Sequence, residues 1–302
     1  MNTAFARKLK ENSTAFSFLF PFLAVFSLFL IFPIVYSLYL SLCEKSGYSI
    51  AGLKFVGLKN YQALFKDAEF WWSLLMTFYY ALLTIPAGIF LSLMLALLLN
   101  NRLPGKLFFR SVFFLPNVLD LLVVGIIWKL LYTSGGLVVT AMQYLGFGME
   151  GGILGNPWTA LPGIALAMVL KGSGFGMILF LAALQNIPES VFEAAEIDGA
   201  TGFECFRHIT LPLLRPIMLF MIITGTMAAL NTFTEIYAMT DNGGPVVLFG
   251  KHTLGATKLT GYYLFSKWEN HQYGYAAAMS YVLLVVTVAI SLFNSWLLRR
   301  KD

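Results

Sequence analysis

Four carboxylates, Glu189, Glu193, Glu196 and Asp198, fall within ten residues, and no Lys or Arg lies among them. Val191, Phe192, Ala194, Ala195 and Ile197 fill the spaces, which predicts a short amphipathic helix. Pro188 suits its first turn. Gly199 can supply a left-handed stop. Thr201-x-x-Glu204 then reads as a capping box that opens a second short helix, closed by Leu211-Pro212. The chemistry is recognition rather than reaction. Anionic lipid repels an acidic helix, so a basic groove on a soluble protein suits it better. The alternative is a helical hairpin lying on a membrane surface.

A second group consists of charges set in apolar surroundings: Asp120, Lys129, Lys171 and Glu235. Lys129, beside Trp128 and Tyr132, is expected to snorkel to an interface, and Glu235 can do likewise. Lys171 sits deeper and requires a polar cavity or an acidic partner. Asp120 differs from it by about four residues in depth, ~6 Å at the helical rise, and is one such partner. An anionic solute is another. Lys171 and Phe175 are four apart, with Gly172 alongside. Gly225, Ala228, Ala229, Thr232 and Glu235 recur at helical spacing, flanked by Asn231. Such stripes read either as close helix packing through small residues or as the lining of a polar site. The run Gly172-Ser173-Gly174-Phe175-Gly176 reads as a packing site or a helix break rather than a phosphate loop.

Other chemistries find no support. Gly105-Lys106 and Gly250-Lys251 both lack the rest of a phosphate-binding loop. No Ser/His/Asp arrangement or metal-ligand cluster stands out. His208, His252 and His271 are scattered, and Cys43 and Cys205 are expected on opposite sides of a membrane. No catalytic residue, cofactor or metal is assigned.

The elements that must carry these residues follow from composition. The chain has 302 residues; 58% are hydrophobic and 12% charged, half of the roughly 25% usual in soluble domains. That excludes a disordered tail and a disulfide scaffold, and argues against a soluble enzyme. Residues 16–42, 72–101, 216–234 and 272–298 contain no Asp, Glu, Lys or Arg. About 20 apolar residues cross a bilayer. Six spans are predicted near 16–42, 72–99, 111–133, 157–184, 216–239 and 273–298: an all-α polytopic membrane protein, read as one domain over 1–302. Pro33, Pro86, Pro116 and Pro162 fall inside or near span ends, where proline is tolerated. With the N-terminus inside, the inner segments carry eleven Lys and Arg and the outer ones seven, so both termini are expected in the cytoplasm. The formal charge of +5 follows from this bias and implies no nucleic-acid binding. The first apolar run is too long for a cleaved signal peptide.

The run Glu193-Ala194-Ala195, three residues, Gly199, nine residues, Ile209, one residue, Leu211-Pro212 resembles the EAA loop of ABC importer membrane subunits. Gly57-Leu58-Lys59-Asn60-Tyr61, Arg110 through Leu115-Pro116, Leu184-Gln185-x-Ile187-Pro188 and Asn242-Gly243-Gly244-Pro245 are similar to the maltose-type carbohydrate permeases. The chain is identified as resembling the first of their two permease subunits, over nearly its full length. The resemblance implies a type I importer fold with a coupling loop at about 186–212. It implies four kinds of partner beside membrane lipid: a second homologous permease, two ATP-hydrolysing subunits, an extracytoplasmic solute-binding protein and a saccharide. Glu193 would face a basic ATPase residue, and Gly199 would fix the bend, where a Cβ is expected to clash. Family sugar-contact positions fall near Lys171, Gly172 and Phe175, and near Gly225, Ala228, Ala229 and Thr232. Phe175 would offer a ring to a sugar face; Asn231 and Thr232 would bond its hydroxyls. The fifth-span positions here are smaller than in the maltose-type protein, and Lys171 is unexpected for a neutral sugar. An anionic saccharide or a glycerol-phosphate-type polyol is therefore an alternative solute. An ion-driven secondary transporter and a non-transporting scaffold are the other classes considered. Residues 43–71 and 240–272, with Tyr61, Phe65, Tyr262, Tyr263 and Trp268, either receive the binding protein or lie on the membrane interface.

Overall fold

A computed structural model describes residues 18–45, 52–101, 104–148, 151–250 and 252–299. Arg7, Lys8, Lys10, Arg102, Lys251, Arg300 and Lys301, which carry part of the orientation argument, lie outside these residues. So do the first two positions of the first predicted span.

The chain divides into two compact units. One contains the described residues up to Lys66 together with Lys267–Val282. Its helix α1 runs Phe18–Ser41, widened by a π-helical turn at Ser27–Ile31. The antiparallel strands β1 (Cys43–Lys45) and β2 (Leu53–Phe55) follow, pairing Cys43 with Phe55, and then α2 (Lys59–Lys66). The residues Lys59-Asn60-Tyr61 now have a structural role. The last carbonyls of a helix lack intrahelical donors. Asn60 Nδ2 donates to the carbonyls of Ser41 at 2.8 Å and Cys43 at 2.9 Å, and the Tyr61 hydroxyl meets Ser41 Oγ at 2.8 Å. The first turns of the last helix close on this end of α1. A Cβ at Gly274 would overlap the Cys43 carbonyl, and the Tyr281 hydroxyl donates to the Ile34 carbonyl.

The other unit holds Asp67–Ser266 and the stretch from Leu283. Asp67 caps α3 (Ala68–Asn100), accepting from Glu69 N at 2.9 Å. Then come α4 (Lys106–Val118), α5 (Leu121–Tyr132), α6 (Leu137–Tyr144) and α7 (Pro157–Gln185). The short helix α8 (Glu189–Ile197) precedes α9 (Gly202–Leu213) and α10 (Arg215–Leu230), which meet at 57°. After α11 (Thr234–Met239), strands β3 (Val246–Phe249) and β4 (His252–Gly255) form an antiparallel hairpin. The helices α12 (Thr260–Glu269) and α13 (Tyr273–Arg299) complete the order, each divided between the units. Five helical stretches among the described residues are long and apolar enough to cross a membrane, and the bent α9–α10 pair supplies a sixth.

Two predicted spans are not continuous. The third breaks at Leu119–Asp120, where both residues have extended ψ angles of 143° and 138°. Asp120 supplies the reason: its Oδ1 accepts from Leu122 N at 2.8 Å and Val123 N at 3.4 Å, opening a new helix. The fifth stops at Leu230 and restarts at Thr234. The glycine run in α7, by contrast, does not break the helix.

α3 and α7 pack along their lengths. Between lipid-like surfaces there is little hydrophobic gain, so close van der Waals fit holds such helices together. Apolar clusters gather at two levels. One contains Tyr80, Leu161, Ile164, Ile236 and Met239. The other contains Leu93, Ala96, Met177, Phe180, Leu184 and Leu214. Glycines permit the approach. A Cβ at Gly174 would run into the Phe113 backbone of α4, and one at Gly176 into Ser92 of α3; at Gly172 it would meet nothing within 4 Å. Gly174→Ala is therefore expected to destabilise the protein by roughly 1–3 kcal/mol, the usual scale of overpacking. Gly172→Ala should be close to neutral. Thermal unfolding of both variants in detergent checks the contrast, and equal melting would refute it.

Candidate functional site

A cavity of about 370 Å³ lies between α3, α7 and α10, at the level separating the two apolar clusters. From α3 it takes Tyr80, Thr84 and Ser92; from α7, Lys171 and Gly172. Gly225, Ala228, Ala229 and Thr232 form the facing wall, and Glu235 of α11 closes it. Ile85, Ile89, Met168 and Met221 complete an otherwise apolar surface. The two stripes expected to share a site, Lys171–Gly172 and Gly225 through Glu235, do line one cavity.

The polar groups are held in place by bonds within the chain. Thr84 Oγ1 donates to the Tyr80 carbonyl at 2.9 Å, and Ser92 Oγ to the Ser173 carbonyl at 3.0 Å. Thr232 Oγ1 donates to the Ala228 carbonyl at 3.1 Å. The Tyr80 hydroxyl reaches Glu235 Oε1 at 3.4 Å. Lys171 stands at the centre of α7, fourteen residues from each end.

Several expectations are corrected. Lys171 makes no ion pair with Asp120: the carboxylate caps α5 instead, and the ion pairs among the described residues are elsewhere. Glu235 does not snorkel; it is 9% exposed and faces the cavity. Lys129, expected to snorkel, extends its ammonium to the exposed Asp241 carboxylate at 3.2 Å, which is compatible with that expectation. Phe175 and Asn231 fall outside the lining. Phe175 is 46% exposed, and the Asn231 amide donates to the Met227 carbonyl at 2.8 Å. Tyr80, Thr84 and Ser92 were not anticipated. Their signal is present all the same: Tyr80, Thr84, Gly88 and Ser92 recur every four residues through an apolar helix.

The acidic segment forms an elbow. Pro188 is the N-cap of α8. At its other end Gly199 N donates to Glu196 O at 3.0 Å and Ala200 N to Ala195 O at 2.9 Å, the bonding pattern of a Schellman stop. Gly199 has φ +76°. No atom lies within 4 Å of a Cβ built there, so the expected clash is absent. The requirement is conformational: side chains other than Gly, Asn and Asp seldom adopt positive φ. Beyond the bend, Thr201 N donates to Glu204 Oε2 at 2.7 Å and Glu204 N to Thr201 Oγ1 at 3.3 Å, a complete capping box.

The elbow has an anchored arm and a free one. On α9, Phe206 and Leu211 pack against the cluster of Leu93, Phe180 and Leu184, and Leu214 is fully buried. Ile209 and Pro212 are half-buried. On α8, Ala195 is buried, while Glu193, Ala194 and Glu196 are exposed, as is Gly199. Ile197 and Phe203, 87% and 69% exposed, flank the bend. The free face thus combines carboxylates with two bare apolar side chains.

A family model described as binding-protein-dependent transport system inner membrane component matches residues 68–302. A probable ABC transporter permease of Bacillus subtilis, YesP, is 34% identical over 287 residues, covering 94% of this chain and 89% of that protein. The lactose transport system permease LacF of Rhizobium radiobacter is 34% identical over 287 residues, covering 94% and 93%. Among solved structures, a chain of a bacterial ABC transporter involved in the import of the acidic polysaccharide alginate superposes with a TM-score of 0.81. That likeness, at 20% identity over 99% of both chains, is one of fold.

Among the described residues Lys171 makes no direct ion pair, and Glu235, which shares its cavity, keeps the Tyr80 hydroxyl when the ammonium is removed. Lys171→Met is expected to keep wild-type yield and a melting temperature within a few degrees of it. A large drop in either, measured on detergent-purified protein, would indicate a structural pair instead.

Proposed function

The chain belongs to the family of binding-protein-dependent transport system inner membrane components, the permease subunits of ABC importers, and we propose that its cargo is a saccharide. One relative's name, that of the lactose permease, supports the choice, as does a cavity lined by hydroxyl groups and two opposite charges. In this reading the chain supplies half of the translocation pore, and a second homologous permease supplies the rest. An extracytoplasmic binding protein delivers the solute. Two separate ATPase subunits hydrolyse ATP. Both termini face the cytoplasm, by the distribution of Lys and Arg.

The observation that carries the coupling role is the elbow. Its acidic, apolar-flanked arm projects from the protein while its other arm is tied to the α3–α7 core. Glu193, Ala194, Ala195 and Gly199 form the docking arm; Ile209, Leu211 and Pro212 connect it to the core. Lys171, Gly172, Gly225, Ala228, Ala229, Thr232 and Glu235 hold the solute. Phe175 and Asn231, both exposed, reach it only if it extends beyond the cavity.

Uptake of labelled saccharides into cells expressing the whole importer tests the assignment. Uptake should stop on ATP depletion and survive a protonophore; the reverse pattern would identify an ion-driven transporter. Two variants address the elbow. Glu193→Lys is expected to lower the ATPase recovered with the permease about tenfold, the scale of one lost charge pair, and unchanged recovery refutes the docking role. Gly199→Val, a β-branched residue at positive φ, should insert normally yet separate ATP hydrolysis from uptake. Gly199→Asn, which tolerates that φ, should stay coupled. If the two variants behave alike, the left-handed bend is not the coupling element.

A further inference from the structure

The hydroxyl groups of the cavity have already used their hydrogens. Thr84 donates to a carbonyl of its own helix, Thr232 to the Ala228 carbonyl of α10, Ser92 to the Ser173 carbonyl, and Tyr80 towards Glu235. What these groups offer a solute is their oxygen lone pairs. Glu235 adds a carboxylate, which when ionised only accepts. Among the described side chains that line the cavity, the ammonium of Lys171 is the one remaining donor. The surface is thus rich in acceptors, and its two formal charges cancel.

This pattern discriminates between the two solute classes left open by the lone lysine. Each hydroxyl of a neutral sugar brings one hydrogen to donate, and the cavity supplies oxygens to receive several. One sugar oxygen accepts from Lys171. A carboxylate, sulfonate or phosphate brings acceptors alone. It would find donors on one ammonium alone, and it would share a small, largely apolar cavity with Glu235, where like charges are weakly screened. Leaving polar groups unpaired in such a place costs more than a paired bond gains. We infer that the cavity selects neutral, hydroxyl-rich saccharides against acidic ones, and that Glu235 sets the choice by balancing Lys171. The inference rests on the saccharide-importer reading and narrows it.

The test uses proteoliposomes holding the complete importer with its binding protein. The probes are labelled neutral disaccharides and the aldonates made by oxidising the reducing end of each. The binding protein is common to all samples, so a change in the aldonate-to-neutral uptake ratio between variants reports on the permease. Wild-type protein should prefer the neutral sugar. Glu235→Gln keeps the shape, removes the charge and adds a donor, and should raise the ratio about tenfold, the scale of one hydrogen bond to a charged group. Lys171→Met should depress neutral uptake without raising that of the aldonate. Thr232→Val, which removes one acceptor from the same wall and keeps the Glu235 carboxylate, should lower neutral uptake roughly threefold, about one neutral hydrogen bond. Assembly of each variant is checked by gel filtration and binding-protein-stimulated ATP hydrolysis. An unchanged ratio in assembled Glu235→Gln, unchanged neutral uptake in Thr232→Val, or wild-type preference for aldonates overturns the inference while leaving the importer intact. Transport of neither probe by the wild type overturns the saccharide reading itself.

Discussion

Inside hydrocarbon a polar group has no water to turn to, and an unsatisfied one costs several kcal/mol. That constraint orders the larger unit. Its midlevel polar side chains gather on faces turned toward one another: Tyr80, Thr84 and Ser92 on α3, Lys171 on α7, Thr232 and Glu235 beyond α10. Each hydroxyl among them is tied to a carbonyl or to Glu235. The same constraint makes the helix breaks meaningful. Irregular backbone at membrane depth is tolerated only within protein or beside a water-filled space. Leu121, just after the break before α5, is on the cavity wall, and the break before α11 contains Thr232 and is followed by Glu235, both on that wall.

Most of this was legible in the sequence where the signal was local. The elbow could be read almost residue by residue, because capping boxes and left-handed stops depend on side chains a few positions apart. Thr201, Glu204 and Gly199 behave as their spacing predicts. Apolar runs likewise placed the first, second, fourth and sixth spans, since length and composition decide whether a helix can cross; the third falls at Leu121–Tyr144 and the fifth in the bent pair ending at Leu230. The stripe from Gly225 to Glu235 was visible for the same reason: helical periodicity puts its members on one face.

Errors arose where two signals competed or where a neighbour from a distant part of the chain decided the outcome. Apolar content around Asp120 argued for one continuous span, but the carboxylate's preference for capping backbone donors prevailed. A depth argument paired Lys171 with Asp120; the cap left that carboxylate engaged elsewhere. Glu235 looked like an interfacial residue because it lies near a predicted span end. Only the fold shows that Tyr80, from a helix 155 positions earlier, reaches it. The four-residue recurrence on α3 was overlooked because Tyr, Thr, Gly and Ser are each ordinary in membrane helices. Their common face becomes informative only when another polar stripe is opposite. At Gly199 the left-handed stop is present and the expected clash is not: backbone conformation, not crowding, demands glycine there.

Connectivity then links the two sites. The helix that enters the elbow is α7, and the helix that leaves it is α10; both line the cavity. Lys171 stands ~21 Å along α7 from Gln185 at the helical rise, a distance spanned by uninterrupted helix. On the exit side, Leu214 is buried in the same cluster as Leu184, so the two helix ends are packed together where they meet the elbow. Close-packed helices resist compression. On the proposed coupling role, a displacement of the elbow has two packed helices along which to reach the cavity. If Gly199 held a range of angles, motion of α8 would dissipate at the bend. The hydrogen bonds from Gly199 N and Ala200 N, with the capping box directly beyond, hold it to one conformation. A rigid bend, an anchored arm and two helices lining one cavity are what a protein needs if the energy for its movement comes from another polypeptide.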